Sequence, residues 1–321
     1  MKTNLITGIT GQDGAYLARR LLDNGEHVVG IVRSLNSLSP LKLQYLGIES
    51  RITYEECDLQ DMSALSRLFE KHQPGVIYHL AAQSAVSLSF DQPIGTMTFN
   101  ILSTLNLLET IRRYDRSIRF YQASSSEMFG KVQNLPVTET TPMHPRSPYA
   151  VSKASSHWTA INYRESYGMF VSCGILFNHE SHLRPRNFFI KKVIAESLLI
   201  AAGKQDLLKV GNLDIRRDFG YAPRYVEAMH LMMQQSSPDD FLICSGRSVS
   251  LREIVGHVFQ RLSIDLSKLA VDKSLYRPVD IEDMYGSNSK ARSRLNWHYD
   301  TDFMEVLDLL IREEQAALQM T

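Results

Sequence analysis

Residues 7–17 read TGITGQDGAYL, and Gly8, Gly11 and Gly14 recur in it at every third position. The apolar run NLITGIT leads into these glycines. AYLARRLLDNG follows with the periodicity of an amphipathic helix ending at Gly25. The stretch therefore reads as strand, tight turn, helix. Glycines at such a turn let the backbone approach a pyrophosphate, and the helix N-terminus offers N–H groups and partial positive charge. The spacing is GxxGxxG rather than GxGxxG, so the flanking strand and helix carry the dinucleotide reading more than the glycines do.

Working outward, HVVGIV is a second strand, followed by a polar stretch over 33–46. RITYEECDL is a third strand, SALSRLFEKH a helix and GVIYHLAA a fourth strand. Ile101 to Arg113 is a helix and SIRFYQASS a fifth strand. Strands alternating with helices predict an α/β fold, a Rossmann-type doubly wound parallel sheet covered on both faces. Beyond it come a strand, VSCGILFN, a basic loop, HLRPRNFFIKK, further helices and an amphipathic C-terminal segment. There is no repeat and no Pro/Gly linker, so a smaller second lobe packs onto the first. We expect residues 1–175 to form the dinucleotide-binding domain. Residues 176–321 are expected to be mainly a substrate-binding lobe, with some segments returning to the first domain.

The 321 residues carry 35 basic and 35 acidic side chains, so no net field points to nucleic acid or a membrane surface. No run approaches a membrane span, and MKTNLITGIT leaves no room for a signal-peptide core before the first strand. Cys57, Cys173 and Cys244 are odd in number and isolated, which fits buried thiols in a reducing, cytoplasmic setting. The histidines are scattered, with no HExxH or CxxC, so no metal site is expected.

The second strand ends GIVRS. An acid usually holds the ribose 2′-hydroxyl of NAD here, but this chain has Val32 and then Arg33, which suits a 2′-phosphate and favours NADP. Asp58, after the third strand, is placed either to take an adenine amino group or to cap the next helix. Ala81 and Ala82 are small enough to let a cofactor lie across the sheet.

SPYAVSK places Tyr149 and Lys153 four apart, on one helix face. A phenol with a pKa near 10 is a poor base at neutral pH, and a nearby ammonium is expected to lower it. The fifth strand ends ASSSEMFG. Read as extended backbone, Ser125 and Glu127 project to one side. They then lie at the carboxyl end of the sheet, where ligands bind in such folds. Ser125 suits a hydrogen bond to a hydroxyl being oxidised. Oxidation alone needs only serine, tyrosine and lysine. A further carboxylate suits proton removal beside a new carbonyl, the chemistry of elimination.

The chain resembles the extended short-chain dehydrogenase/reductases. Within them it is similar to the GDP-mannose 4,6-dehydratases through TGITGQDGAYLA, LAAQSAVSLSF, YQASSSEMFGKVQ, PRSPYAVSK, NYRESYGM, GILFNHES, GNLDIRRDFGYA, YVEAMHLMMQQ and YRPVDIEDMYGSNSKA. The resemblance implies a tightly held NADP, reduced and reoxidised within each turnover, and a nucleotide-sugar substrate. Tyr149 would take the C4 hydroxyl proton, and Glu127 would act at C5 and help expel the C6 hydroxyl. It adds cofactor contacts at Gln12, Asp13, Leu59, Leu80 and Gln83. Substrate contacts fall on Ser84, Asn178, Lys192, Arg217 and Arg277, where cations suit a diphosphate. It also implies a homo-oligomer, a dimer or tetramer.

The chain departs from the family in places. Ser125 stands for Thr, and a hydroxyl is kept. His182, Pro185 and Asn187 replace Pro, Gly and Glu; Phe219 stands for Trp, Arg224 for Asp, Asp280 for Glu and Pro40 for Arg. Most of these positions are expected to border the sugar or the cofactor rim and to alter sugar selectivity. Three other readings share parts of the pattern. They are the same dehydration on a related nucleotide sugar such as a GDP-linked heptose, an epimerase or 4-keto reductase, and a catalytically silent NADP-binding regulator. The latter two leave Glu127, or the intact Tyr149–Lys153 pair, without a purpose.

Overall fold

A computed structural model describes residues 3–276 and 278–319. In chain order the first half runs β1 (Thr3–Thr7), α1 (Gln12–Asp23), β2 (His27–Val32), α2 (Leu41–Tyr45), β3 (Thr53–Glu56), α3 (Met62–His72), β4 (Val76–His79), α4 (Val86–Asp91), α5 (Pro93–Tyr114), β5 (Arg119–Ser125), α6 (Pro148–Tyr167) and β6 (Val171–Leu176). The second half runs β7 (Asn178–Glu180), α7 (Phe189–Ala201), β8 (Leu208–Val210), β9 (Arg216–Tyr221), α8 (Ala222–Met232), β10 (Phe241–Ile243), β11 (Ser248–Ser250), α9 (Leu251–Arg261), β12 (Leu269–Val271), α10 (Ser289–Leu295) and α11 (Phe303–Gln319).

Seven strands form one parallel sheet in the order β10-β6-β5-β4-β1-β2-β3. Strands β4 and β6 are buried along their whole length because helices cover both faces. The expected doubly wound fold is therefore present. The chain leaves β1 toward β2 on one side and resumes at β4 on the other. The carboxyl ends of β1 and β4 thus flank the crevice where such sheets bind ligands.

Local chemistry sets the helices that face this crevice. Helix α1 buries Leu17, Ala18, Leu21 and Leu22 and stops at Asp23, one turn residue before Gly25, which takes φ +76°. Ser147 caps α6 by accepting the Ala150 N–H at 3.1 Å, Pro148 starts it, and Gly168 in the left-handed region ends it. Helix α5 begins at Pro93, two turns before the expected Ile101, because packing against α6 overrides the weak propensity of its glycine- and threonine-bearing start.

The smaller lobe has a three-stranded sheet, β11-β9-β7, and a β8-β12 pair. Its core gathers Ile190, Val193, Ile254, Val258, Leu307 and Leu310 from α7, α9 and α11. Two of the departing residues lie here or on the surface, away from the cleft rim expected for them. Phe219 is buried and stacks on Phe303 at 4.9 Å. Arg224 on α8 pairs with Glu227 at 2.6 Å and donates to His298 O at 2.8 Å. The three cysteines are free and buried. Among the described residues no helix is long and apolar enough to cross a membrane, and no group of three or more His, Cys, Asp or Glu could hold a metal ion.

Candidate active site

A cleft of about 770 Å³ opens across the carboxyl ends of the central strands. Its floor at β1 is shaped by glycine. Gly8 has φ +73°, and a Cβ there would lie 2.9 Å from Ala81 N. A Cβ on Gly14 would come within 2.3 Å of Gly8 O. Gly11 precedes α1 with no side-chain cap and gives its own N–H to Gly8 O at 2.9 Å, so the first-turn N–H groups that the helix leaves to the cleft are those of Gln12, Asp13 and Gly14. Thr7 holds the opposite rim: its hydroxyl accepts Leu80 N–H at 3.2 Å and Ala81 N–H at 3.1 Å. With both lone-pair directions used, that hydroxyl donates to His79 Nδ1 at 2.8 Å.

Arg33, Asp58, Leu59, Leu80, Ala81 and Ala82 also line the cleft. The Arg33 guanidinium lies over the Phe99 ring at 5.7 Å. Asp58 does not cap α3. Asp61 does, accepting Ser63 N–H at 2.8 Å and Ala64 N–H at 3.1 Å. Gln83 is not in the lining: its amide turns back to Ala85 O at 3.1 Å, and Asn100 clamps its backbone from both sides.

Ser125, Glu127, Tyr149 and Lys153 meet in the same cleft, beside Ser84 and Asn178. The route that joins Ser125 and Glu127 differs from the expected extended strand. Backbone β5 ends at Ser125, and 126–128 turn into one 3₁₀ turn. Ser125 caps that turn, its Oγ accepting the Glu127 N–H at 3.2 Å. The two side chains are neighbours through this cap, not through strand alternation.

Helix α6 brings the other pair. Lys153 Nζ donates to Ala123 O at 2.8 Å, and burial pulls its pKa down to about 8. Burial pushes the Tyr149 phenol up to about 12, against the opposing Ser125 hydroxyl and with the Glu127 charge adding to the rise. The expected depression of the phenol by Lys153 is thus not found: loss of water around a phenolate dominates, and the cation that opposes it is Arg184. Asn100 ties this helix to the rim after β4, donating to both Gln83 O at 3.1 Å and Ser152 Oγ at 2.9 Å.

Two predicted substrate contacts stand elsewhere. Lys192 on α7 donates to Lys209 O at 2.8 Å and is not in the cleft lining. Arg217 is buried, its Nη1 donating to Arg216 O at 2.7 Å and Ile281 O at 2.6 Å, and it too is absent from the lining. Both cations are drawn to carbonyl oxygens within the smaller lobe. Arg277 lies outside the described residues.

The cleft also contains residues that sequence reasoning passed over. Arg184, from the basic loop, enters it with its guanidinium 3.7 Å above the Phe188 ring and its Nε 3.5 Å from Glu180 Oε2. Lys42 on α2 lines the far end. His179 faces acceptors at both ring nitrogens, Phe177 O at 2.6 Å from Nδ1 and Asp13 Oδ2 at 2.9 Å from Nε2. The basic composition of HLRPRNFFIKK was the available signal for Arg184; nothing local marks the partner of His179.

The model of the family described as GDP-mannose 4,6 dehydratase matches residues 5–310. A GDP-mannose 4,6-dehydratase of Sinorhizobium fredii is 39% identical over 345 residues, covering 100% of this chain and 98% of that protein. Among solved structures, the UDP-glucose 4-epimerase of Thermotoga maritima with UDP-glucose superposes with a TM-score of 0.88 at 23% identity, covering 98% and 99% of the two chains. The dTDP-glucose 4,6-dehydratase of Bacillus anthracis in complex with NAD gives 0.85 at 18% identity, covering 97% and 96%. These two show a shared fold. With the family model spanning nearly all of it, this chain belongs to the GDP-mannose 4,6-dehydratase family.

Proposed function

We propose that the chain dehydrates GDP-mannose to GDP-4-keto-6-deoxy-mannose, using NADP. The observation that carries this reading is the presence of Glu127 beside Ser125, Tyr149 and Lys153 in one cleft. Oxidation or epimerisation needs only the latter three, whereas loss of water needs a further acid–base group. The glycine cradle that a Cβ would fill, and the uncapped start of α1, suit a pyrophosphate. Arg33, with no acid at Val32, supports NADP over NAD. When bound, the nicotinamide supplies reversible hydride storage.

The residues divide the remaining work. Tyr149 Oη takes the C4 hydroxyl proton, and Ser125 Oγ orients that hydroxyl. The phenol is protonated in the free enzyme at neutral pH, so it acts as a base only as positive charge comes to bear on it. Lys153, one helical turn on, is the cation placed to supply that charge. Glu127 removes the C5 proton, made acidic by the C4 ketone, and hands it to the C6 hydroxyl, which leaves as water. Hydride addition at C6, with a solvent proton taken up at C5, would leave the 4-keto-6-deoxy sugar. Incubation with GDP-mannose and NADP tests this: the product must be lighter by one water in the mass spectrum, and unchanged mass refutes it.

A second reading, the same chemistry on a related nucleotide sugar such as a GDP-linked heptose, is favoured by Pro185 and Asn187, which line the cleft where they depart from the family. Residues 1–175 serve in this reading as the cofactor domain and 176–321 mainly as the sugar-nucleotide lobe, with β10 returning to the main sheet. A homo-oligomer is supported by Ile94 and Trp158, 81% and 58% exposed on the packed helices α5 and α6. Light scattering tests it. Three buried free thiols suit a cytoplasmic location.

A further inference from the structure

Glu314, on the last helix α11, is only 5% exposed, and three basic side chains converge on it, His182 and Arg186 from one loop and Lys191 from the first turn of α7. Lys191 Nζ donates to its Oε2, His182 Nδ1 lies 3.3 Å from the same oxygen, and Arg186 lies 3.6 Å from Oε1. Lys191, itself 9% exposed, also donates to His182 O at 2.9 Å, which ties the start of the loop to the first turn of α7. Burial would raise the Glu314 pKa, but the hydrogen bonds from His182 and Lys191 hold it at about 2.

The segment so gripped is part of the cleft wall. Between His182 and Lys191 it contributes Arg184, Pro185, Asn187, Phe188 and Phe189 to the lining. Its inner end is tied to the glycine-rich loop, Ser181 Oγ donating to Gln12 Oε1 at 2.7 Å. Its outer end has Glu314. The His182 ring also lies 4.8 Å from the Tyr45 ring of α2, tilted by 30°. His182 stands where the family has proline, so this part of the grip belongs to the chain's own sequence.

We propose that Glu314 is a positioning residue. Through Lys191 and His182 it sets the height of the 182–189 loop over the cleft, and so sets affinity for the nucleotide sugar without touching it. The role of the loop as substrate wall rests on the dehydratase reading above.

The test compares the wild type, the Lys191→Met/Glu314→Leu double variant and Glu314→Gln. Replacing both charges of a buried pair with apolar groups is usually neutral for stability, so the double variant should melt within a few degrees of wild type. Amide hydrogen exchange over 182–189 should quicken about tenfold. KM for GDP-mannose should rise about tenfold with kcat within about threefold, the loss of binding that stabilises ground and transition states alike. Glu314→Gln keeps size and one acceptor, so it should show the same split at about threefold; it decides the matter if the double variant does not fold. Unchanged exchange, or a fall in kcat at constant KM, in a folded variant overturns the proposal. If wild type does not turn over GDP-mannose, the dehydratase reading fails separately, and the exchange comparison still decides whether Glu314 holds the loop.

Discussion

His179 Nε2 lies 2.9 Å from Asp13 Oδ2 and 3.0 Å from Oδ1, joining the first strand–helix turn to a strand of the smaller lobe 166 residues away. Since Phe177 O takes the other ring nitrogen at 2.6 Å, both nitrogens serve as donors and the ring is an imidazolium. Burial opposes both charges, yet each partner offsets it. Asp13 is held at about 2, below its ordinary 3.8, and His179 is raised above its ordinary 6.5.

The pH dependence follows from those directions. The raised histidine contributes stability that is complete below pH 6.5 and is lost as pH climbs through its folded value. The depressed aspartate contributes above pH 3.8 and is lost as pH falls through about 2. Asp13→Asn should therefore cost roughly 3 kcal/mol near pH 6, the lower end for a broken buried pair because Asp13 keeps some exposure. The gap in melting temperature between wild type and variant should narrow by pH 9. A gap that widens on the alkaline side contradicts the ion-pair assignment.

Lys153 gives the opposite sign. Burial lowers it from 10.5 to about 8, so the unfolded chain binds its proton more tightly and stability increases as pH rises between those values. At neutral pH the buried ammonium is a cost. Lys153→Met should stabilise the free protein at pH 7 by about 1–3 kcal/mol after loss of the bond to Ala123 O, read as a higher melting temperature. It should also abolish turnover. A less stable variant would show that the bond to Ala123 O outweighs the desolvation of the charge.

Cofactor choice should follow Arg33. Arg33→Ala removes a guanidinium that faces the cleft beside Phe99. Charge-assisted hydrogen bonds of roughly 1.5–3 kcal/mol correspond to a loss of about 10–100-fold in NADP affinity. NAD affinity should stay within about threefold. Calorimetric titration with both nucleotides decides, and equal losses for both would remove Arg33 as a 2′-phosphate contact.

These cases show what could be read from residue order. The β1–α1 turn was legible because its glycines, strand and helix are adjacent, and because local sterics dictate such a turn. Tyr149 and Lys153 were legible because four residues is one helical turn. Glu127 was placed in the right neighbourhood through the wrong geometry, since alternation stops where a strand breaks into a turn. Lys192 and Arg217 reach carbonyl oxygens and not the cleft lining, because charge alone does not say which acceptor a long side chain finds. Pairs such as Asp13 with His179, or Lys191 with Glu314, were invisible: the fold alone brings them together.

The glutamate at the end of β5 carries the decisive test of the chemistry. Glu127→Gln keeps the backbone N–H that Ser125 Oγ accepts, so the 3₁₀ turn and the position of Ser125 should survive. The variant should bind GDP-mannose and NADP as wild type does. It loses only the group proposed to remove the C5 proton. General acid–base groups contribute about 10²–10⁴-fold, or roughly 3–5 kcal/mol of barrier, so 4-keto-6-deoxy product should fall by that factor. Exchange of the C5 proton with deuterated solvent should fall in parallel, while a single round of NADPH formation is still seen. Tyr149→Phe should differ, blocking that first hydride transfer as well. If Glu127→Gln dehydrates at close to the wild-type rate, elimination does not run through this carboxylate, and Ser125, Tyr149 and Lys153 alone would define an oxidoreductase site.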